Sequence, residues 1–464
     1  MRRPLRFGTV CRWPRFAMRL VLAAAGLALA AQPAAAQSIL RDAETEALFQ
    51  DMARPIIAAS GLDPRNVDIV LVNDGSINAF TAGGQAVYVN SGLIAVADNA
   101  NQLQGVIAHE LGHITGGHAE RVGEGLRPAT GITVLSLLLG VALAAAGAPE
   151  AALGIIGAGQ QAALGKFLSF SRTQEASADA AGAQFLSKAQ ISGKGSLDFF
   201  KKLQNEEYRH GYTRNDEAEF YSTHPLTDDR IATLQDTYEK DPAWTAKTDP
   251  KLEARFQRVK AKLYGYLAEP PATLRDFPEY VTTVPARYAR AYAFHKDAQM
   301  DKAQVETDAL LKTAPDDPYF LELKGQILLE SGKPLEAIEP LRRATSLTAN
   351  APLIATTFGH ALIASEDHAN FLEAQRVLKA AVAKDRENPF AWYELGVVYE
   401  ANGDHARARL ASAEQQFMNR RFAEAMRSAE VAQQGLPAGS PDMLRAQDIA
   451  MSAHAEVERT AKKH

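Results

Sequence analysis

His109-Glu110-Leu111-Gly112-His113 sets two imidazoles four residues apart, with a carboxylate beside the first. On an α-helix, residues four apart lie about 40° apart around the axis and about 6 Å along it, so both rings reach one metal ion. Glu110 projects at a different angle, where it can touch a water on the ion without being a ligand. Two neutral imidazoles and one further ligand leave zinc an open position for a water whose pKa falls to about 7. That water attacks a peptide carbonyl polarised by the zinc, and Glu110 takes and returns the proton. The chemistry expected is peptide-bond hydrolysis with one zinc per chain. The competing reading, a surface helix with incidental histidines, leaves the context of the motif unexplained.

Two positions compete for the third ligand. His118 follows His113 through Gly116-Gly117; if the helix continues, it lies nine residues from His109, half a turn around, facing away from the metal. Glu175 is the better candidate. In Ser171-Arg172-Thr173-Gln174-Glu175-Ala176-Ser177-Ala178-Asp179, Glu175 and Asp179 are four apart on one helical face. One can bind zinc while the other accepts the N–H of a ligand histidine and fixes its tautomer.

The elements that position these groups can be read from the flanking sequence. Residues 41–60 read as an amphipathic helix, and Val67 to Val72 as a strand. In Asn78-Ala79-Phe80-Thr81-Ala82-Gly83-Gly84-Gln85, the paired glycines turn a hairpin whose second strand is Ala86 to Val89. Asp98 is placed to cap the helix that carries the motif, with Leu103, Val106, Ile107, Leu111 and Ile114 on its apolar face. Between Arg127 and Lys166 the only charge is Glu150, and 131–165 reads as an apolar helical hairpin, buried rather than spanning. Helices resume at Ser171 and from Ser196, the loop Tyr221 to Arg230 interrupts them, and a charged, Pro-containing segment follows from about 235.

From about residue 286 the chain repeats. Ala291, Gly325 and Gly359 are spaced by 34, with Gly396 37 further on, and Ala303, Ala337, Ala374 and Ala408 run in parallel. A 34-residue period with small residues at helix crossings is the tetratricopeptide pattern. Trp392, Leu395, Gly396 and Tyr399 match its first helix, and Pro318, Pro352 and Pro389 precede successive first helices. Ala406 to Gln434 admits two registers.

On these residues the chain resembles the gluzincin peptidases of the HtpX and CAAX prenyl protease type, and most closely the BepA-like periplasmic zinc metalloproteases with a C-terminal tetratricopeptide domain. The likeness rests on His109-Glu110-x-x-His113, Glu175-x-x-x-Asp179, the Asn78 to Gly84 hairpin, His224-Pro225 with Arg230, and the repeats. It implies zinc on His109, His113 and Glu175, Glu110 as catalytic base, and Asp179 holding a ligand histidine. It also implies that His224 is a removable fourth ligand that keeps the enzyme latent, or, with Arg230, a stabiliser of the transition state. Asn78, Ala79, Phe80, Gly83 and Gly84 would offer an edge strand to an extended substrate. The fold implied is mainly α (α+β): a peptidase domain with a small sheet over 37–265, a linker over 266–285 and an all-α solenoid over 286–464. The partners implied are misfolded polypeptides and, through the repeats, the outer-membrane barrel-assembly machinery. The family's membrane-embedded members carry spanning helices where this chain has 131–165, which leaves peripheral contact of that hairpin with a membrane open. A non-catalytic tetratricopeptide chaperone or scaffold of the same machinery is the alternative, and it would be favoured by a missing ligand or base.

Composition agrees with an exported protein. Six arginines precede the apolar run Leu20 to Ala31, and Ala34-Ala35-Ala36 follows, the layout of a signal peptide over 1–36. Its removal leaves a net charge of −11 and no cysteine, since Cys11 is the only one. The mature chain therefore has no disulfide. With 464 residues, 46% hydrophobic and no strongly basic half, the chain has room for two or three packed domains, and nucleic acid is excluded as its main partner.

Overall fold

Asp42 accepts a hydrogen bond from the Thr45 amide and so starts helix α1 (Ala43–Ser60), which Gly61 ends in the left-handed conformation. Its apolar stripe, Leu48, Phe49, Met52 and Ile56, is almost fully buried. The stripe faces a four-stranded sheet of β1 (Ser38–Leu40), β2 (Asp68–Asn73), β3 (Ala79–Thr81) and β4 (Ala86–Asn90) in the order β1-β2-β4-β3. Strands β2 and β4 run parallel, whereas β3 and β4 form the expected antiparallel hairpin, with Phe80 opposite Tyr88. Gly83 and Gly84 turn it with φ of 70° and 66°, which a residue with a Cβ adopts only under strain. The coordinates are a computed structural model that describes residues 38–145, 149–210, 224 and 227–462. The leader expected over 1–36 lies outside the described residues.

After α2 (Ser91–Val96) comes α3 (Ala100–Thr115), the helix that carries the motif. Its cap is Asn99, which accepts from the Gln102 amide, and not Asp98. Asp98 is drawn instead to Lys202, whose Nζ donates to it at 2.6 Å. Leu103, Val106, Ile107 and Leu111 are buried as the periodicity predicts.

Helices α4 (His118–Ala145) and α5 (Pro149–Lys188) pack against each other as a long hairpin. The expectation of a buried hairpin over 131–165 is corrected here. Leu135, Leu138, Val141 and Leu153 are 57%, 64%, 66% and 73% exposed. Each helix covers only one side of the other, and among the described residues no further layer lies over the opposite sides. Among the described residues, no helix is long and apolar enough to cross a membrane. Helix α5 also runs unbroken through Ser171, where the pattern suggests a new start. The glycine nearest that point, Gly165, costs about 1 kcal/mol, too little by itself to break a helix of 40 residues.

Helices α6 (Lys194–His210), α7 (Asp228–Glu239) and α8 (Pro250–Leu267) close the first core with Phe199, Leu203, Leu234, Phe256 and Val259. The charged segment after 235 is therefore mostly helical, because Asp249 caps α8 with Pro250 in its first turn.

Beyond it, among the described residues, five successive helix pairs begin at Val284, Pro318, Pro352, Pro389 and Phe422. The phased small residues sit where paired helices cross. A Cβ on Gly325 would meet Leu341 at 2.4 Å, and one on Gly359 would meet Leu378 at 2.6 Å. Ala303, Ala337 and Ala374 are fully buried. The fold is thus mainly α, a small sheet and helices followed by a helical solenoid. Lys262 pairs with Asp42 at 2.5 Å, Arg258 bridges Glu44 to Asp317, and the Tyr288 hydroxyl donates to Glu44 at 2.8 Å. These contacts tie α1 and α8 to the first repeats.

Candidate metal centre

Helices α3 and α5 cross at small residues, and this crossing builds the site. A Cβ on Gly112 would meet the Ala178 carbonyl oxygen at 2.5 Å, and one on Gly182 would meet the Ala108 carbonyl at 3.0 Å. The two backbones therefore approach closely, and the one-turn spacing of each motif does the rest: His109 and His113 face Glu175 and Asp179. His224, from the loop before α7, completes the cluster.

The ligand atoms of His109, His113, Glu175 and His224 lie within 4.8 Å of one another, and all four residues are buried. His113 Nε2 is 3.1 Å from His109 Nε2 and 3.4 Å from Glu175 Oε1. His109 Nε2 is 3.4 Å from Glu175 Oε2, and His224 Nδ1 is 3.4 Å from His109 Nε2 and 3.2 Å from both Glu175 oxygens. Four ligands about 2.0–2.1 Å from a tetrahedral ion sit about 3.3 Å apart. The donor set thus fits a small divalent cation in spacing and in chemistry.

His109 and His113 are each held from behind. His109 Nδ1 lies 2.9 Å from Asp179 Oδ1, and Phe200 packs edge-on against its ring with centroids 5.9 Å apart. His113 Nδ1 lies 2.9 Å from His118 Nδ1. Arg230 Nε and Nη2 donate to the two Asp179 oxygens at 2.8 and 2.9 Å, and its Nη1 is 3.0 Å from Glu175 Oε2. The guanidinium is therefore committed to the acids. Both Glu110 oxygens are buried and make no hydrogen bond among the described residues, and His224 Nε2 is 3.6 Å from one of them.

The electrostatics follow from this packing. Burial disfavours the His109 imidazolium, yet Asp179 and Glu175 outweigh it and raise the group to about 10. Burial, then the neighbouring His109, pushes His113 well down. Burial alone would raise Glu175 and Asp179, but His109 with His224 holds the first, and His109 with Arg230 the second, below the usual carboxylate range. Burial dominates at Glu110 and pushes its carboxyl up.

The sequence-predicted residues come together with one exception of direction. His118 does not face away, because α3 ends at Thr115 and Gly117, with φ 61°, turns the chain back so that His118 meets His113. The adjacent glycines were the signal for that turn. Nothing in the sequence marked Phe200. Asn78 and Ala79 are buried, Phe80 stacks on Tyr88 with centroids 5.1 Å apart, and β3 is the outer strand, packed beside α3. Pro225 and Tyr221 to Thr223 lie outside the described residues.

Residues 40–238 match the model of peptidase family M48. The chain is similar to the putative beta-barrel assembly-enhancing protease of Vibrio cholerae, 27% identical over 62% of this chain and 59% of that one. It is similar to the beta-barrel assembly-enhancing protease of Escherichia coli K12, 24% identical over 74% and 69% of the two chains. A third relative, the metalloprotease LoiP of Escherichia coli K12, is 30% identical over 38% of this chain and 64% of its own. The chain thus spans 59% of the length of the Vibrio cholerae relative and 60% of a Yersinia pestis one. The matched family implies a metal, which the buried histidine and glutamate cluster suits.

Proposed function

We propose that this chain, whose residues 40–238 form a peptidase family M48 domain, is a zinc-dependent endopeptidase of the periplasm. Its work is to degrade misfolded or stalled outer-membrane proteins and to assist the assembly of their barrels. The observation that carries the catalytic part is Glu110, a buried carboxylate with no hydrogen-bond partner among the described residues, beside four buried ligand groups. A buried carboxylate without a hydrogen bond is costly unless a reacting water or substrate meets it there.

His109, His113 and Glu175 would hold the zinc, with His224 as a fourth, removable ligand. When bound, zinc polarises a peptide carbonyl and acidifies water. Glu110 takes the proton of the attacking water and passes it to the leaving amide nitrogen, a task that its burial-raised proton affinity suits. Asp179 orients His109, and Arg230 keeps Asp179 and Glu175 in place. The outer strand β3, with Asn78, Ala79 and Phe80 ahead of the Gly83-Gly84 turn, offers backbone to an extended peptide, so unfolded chains are favoured with little side-chain selectivity.

The barrel-assembly part rests on similarity to the two relatives named for it. The repeats would dock on that machinery, as stacked helix pairs present an extended face to partners. The exposed leucines of the α4–α5 hairpin suit contact with a membrane surface. The Arg-rich leader expected over 1–36 accounts for export. Elemental analysis of residues 37–464 after extensive dialysis tests the centre. About one zinc per chain is expected, with far less in Glu175→Ala. A folded parent without zinc would overturn the reading and put the non-catalytic scaffold in its place.

A further inference from the structure

His109 and His113 both aim Nε2 into the cluster, so each must carry its proton on Nδ1 to bind a cation as a neutral ring. For His109 the acceptor behind is a carboxylate, Asp179. For His113 it is another imidazole: His118 Nδ1, at 2.9 Å, in a residue only 5% exposed. If His113 Nδ1–H is the donor, His118 must accept, and its own proton then sits on Nε2. We propose that His118 is a positioning residue that fixes the tautomer and ring plane of His113 for the metal.

The local chain is built around this contact. Helix α3 stops at Thr115, Gly117 takes φ 61°, and α4 restarts at His118, which brings the side chain back beside a ligand only five positions earlier. Gly116 leaves the room: a Cβ there would meet His118 Nε2 at 2.4 Å. A histidine used only for packing would need neither a glycine under its ring nor its Nδ1 turned to the Nδ1 of His113. Outer partners of metal-binding histidines typically change metal affinity 10–100-fold when removed.

The inference rests on the metal-centre reading, and the test separates the two. Zinc affinity of the full chain is measured by chelator competition for the parent, His118→Leu, His118→Asn and Gly116→Ala, with melting temperatures of the zinc-stripped forms. His118→Leu keeps the volume and loses the acceptor, and should bind zinc 10–100-fold more weakly at an unchanged zinc-stripped melting temperature. His118→Asn keeps an oxygen where Nδ1 stood and should recover most of the affinity. Gly116→Ala should weaken binding through displacement of His118. Parent-like affinity in His118→Leu, or equal losses in the leucine and asparagine variants, would overturn the role of His118 alone. A folded parent that binds no zinc would remove the metal centre itself.

Discussion

Arg230 grips Asp179 with two parallel hydrogen bonds, Nε to Oδ2 at 2.8 Å and Nη2 to Oδ1 at 2.9 Å, while Asp179 Oδ1 lies 2.9 Å from His109 Nδ1. A cation on α7 thereby sets the position of a metal-ligand candidate on α3 through an acid on α5. Both members of the pair are almost fully buried. Removing one partner strands the other charge, which costs about 3–5 kcal/mol. Arg230→Ala should lower the unfolding free energy of the zinc-stripped protein by about that amount in urea titration. Arg230→Lys, which keeps the charge and loses the two-pronged geometry, should fall between. A parent-like midpoint for Arg230→Ala would show that the clamp contributes nothing.

Among the described residues Glu110 has no hydrogen bond to lose, so its replacement should leave the fold and the ligands intact. Glu110→Gln is expected to retain about one zinc per chain and to lose about 10²–10⁴-fold in cleavage of an unfolded protein substrate. Undiminished cleavage by this variant would sink the mechanism.

His224 reaches into the cluster from a loop, and its Nε2 stands 3.6 Å from Oε1 of Glu110, the proposed base. On the proposed reading, a ring placed there would block the reaction, and one that swings out would admit substrate. His224→Ala should therefore raise basal proteolysis in a casein assay. A fall in rate instead would assign His224 to the chemistry, the other role that the resemblance allowed.

Much of this centre was legible in the chain because it is built from helical spacing. His109 and His113, and likewise Glu175 and Asp179, are each one turn apart, and a one-turn spacing survives whatever packs around it. The repeats were legible for a related reason: Gly325 and Gly359 recur because each crossing has room for no side chain. What the sequence left hidden depends on tertiary direction. The return of His118 needs the left-handed turn at Gly117, the cap falls on Asn99 while Asp98 one position earlier is held by Lys202, and Leu138 is exposed because no third layer lies over the hairpin among the described residues. None of these is a periodicity.

Glu322 carries a pH dependence remote from the centre. It lines a groove of about 1030 Å³ between the N-terminal segment at Leu40 and Asp42 and the repeat helices at Tyr292 and Phe390. Burial pushes its carboxyl up to about 8; Lys262 opposes this, and Asp42 and Glu44 add to it. The unfolded chain releases the same proton near 4.5. Between these values the folded state binds more protons than the unfolded state, so stability falls as pH rises through the window. The urea midpoint should therefore decline from about pH 5 to about pH 8 by more in the parent than in Glu322→Gln, which has no proton to release. Superimposable declines in the two proteins would show that Glu322 titrates at its ordinary value, with the groove wet enough to screen it.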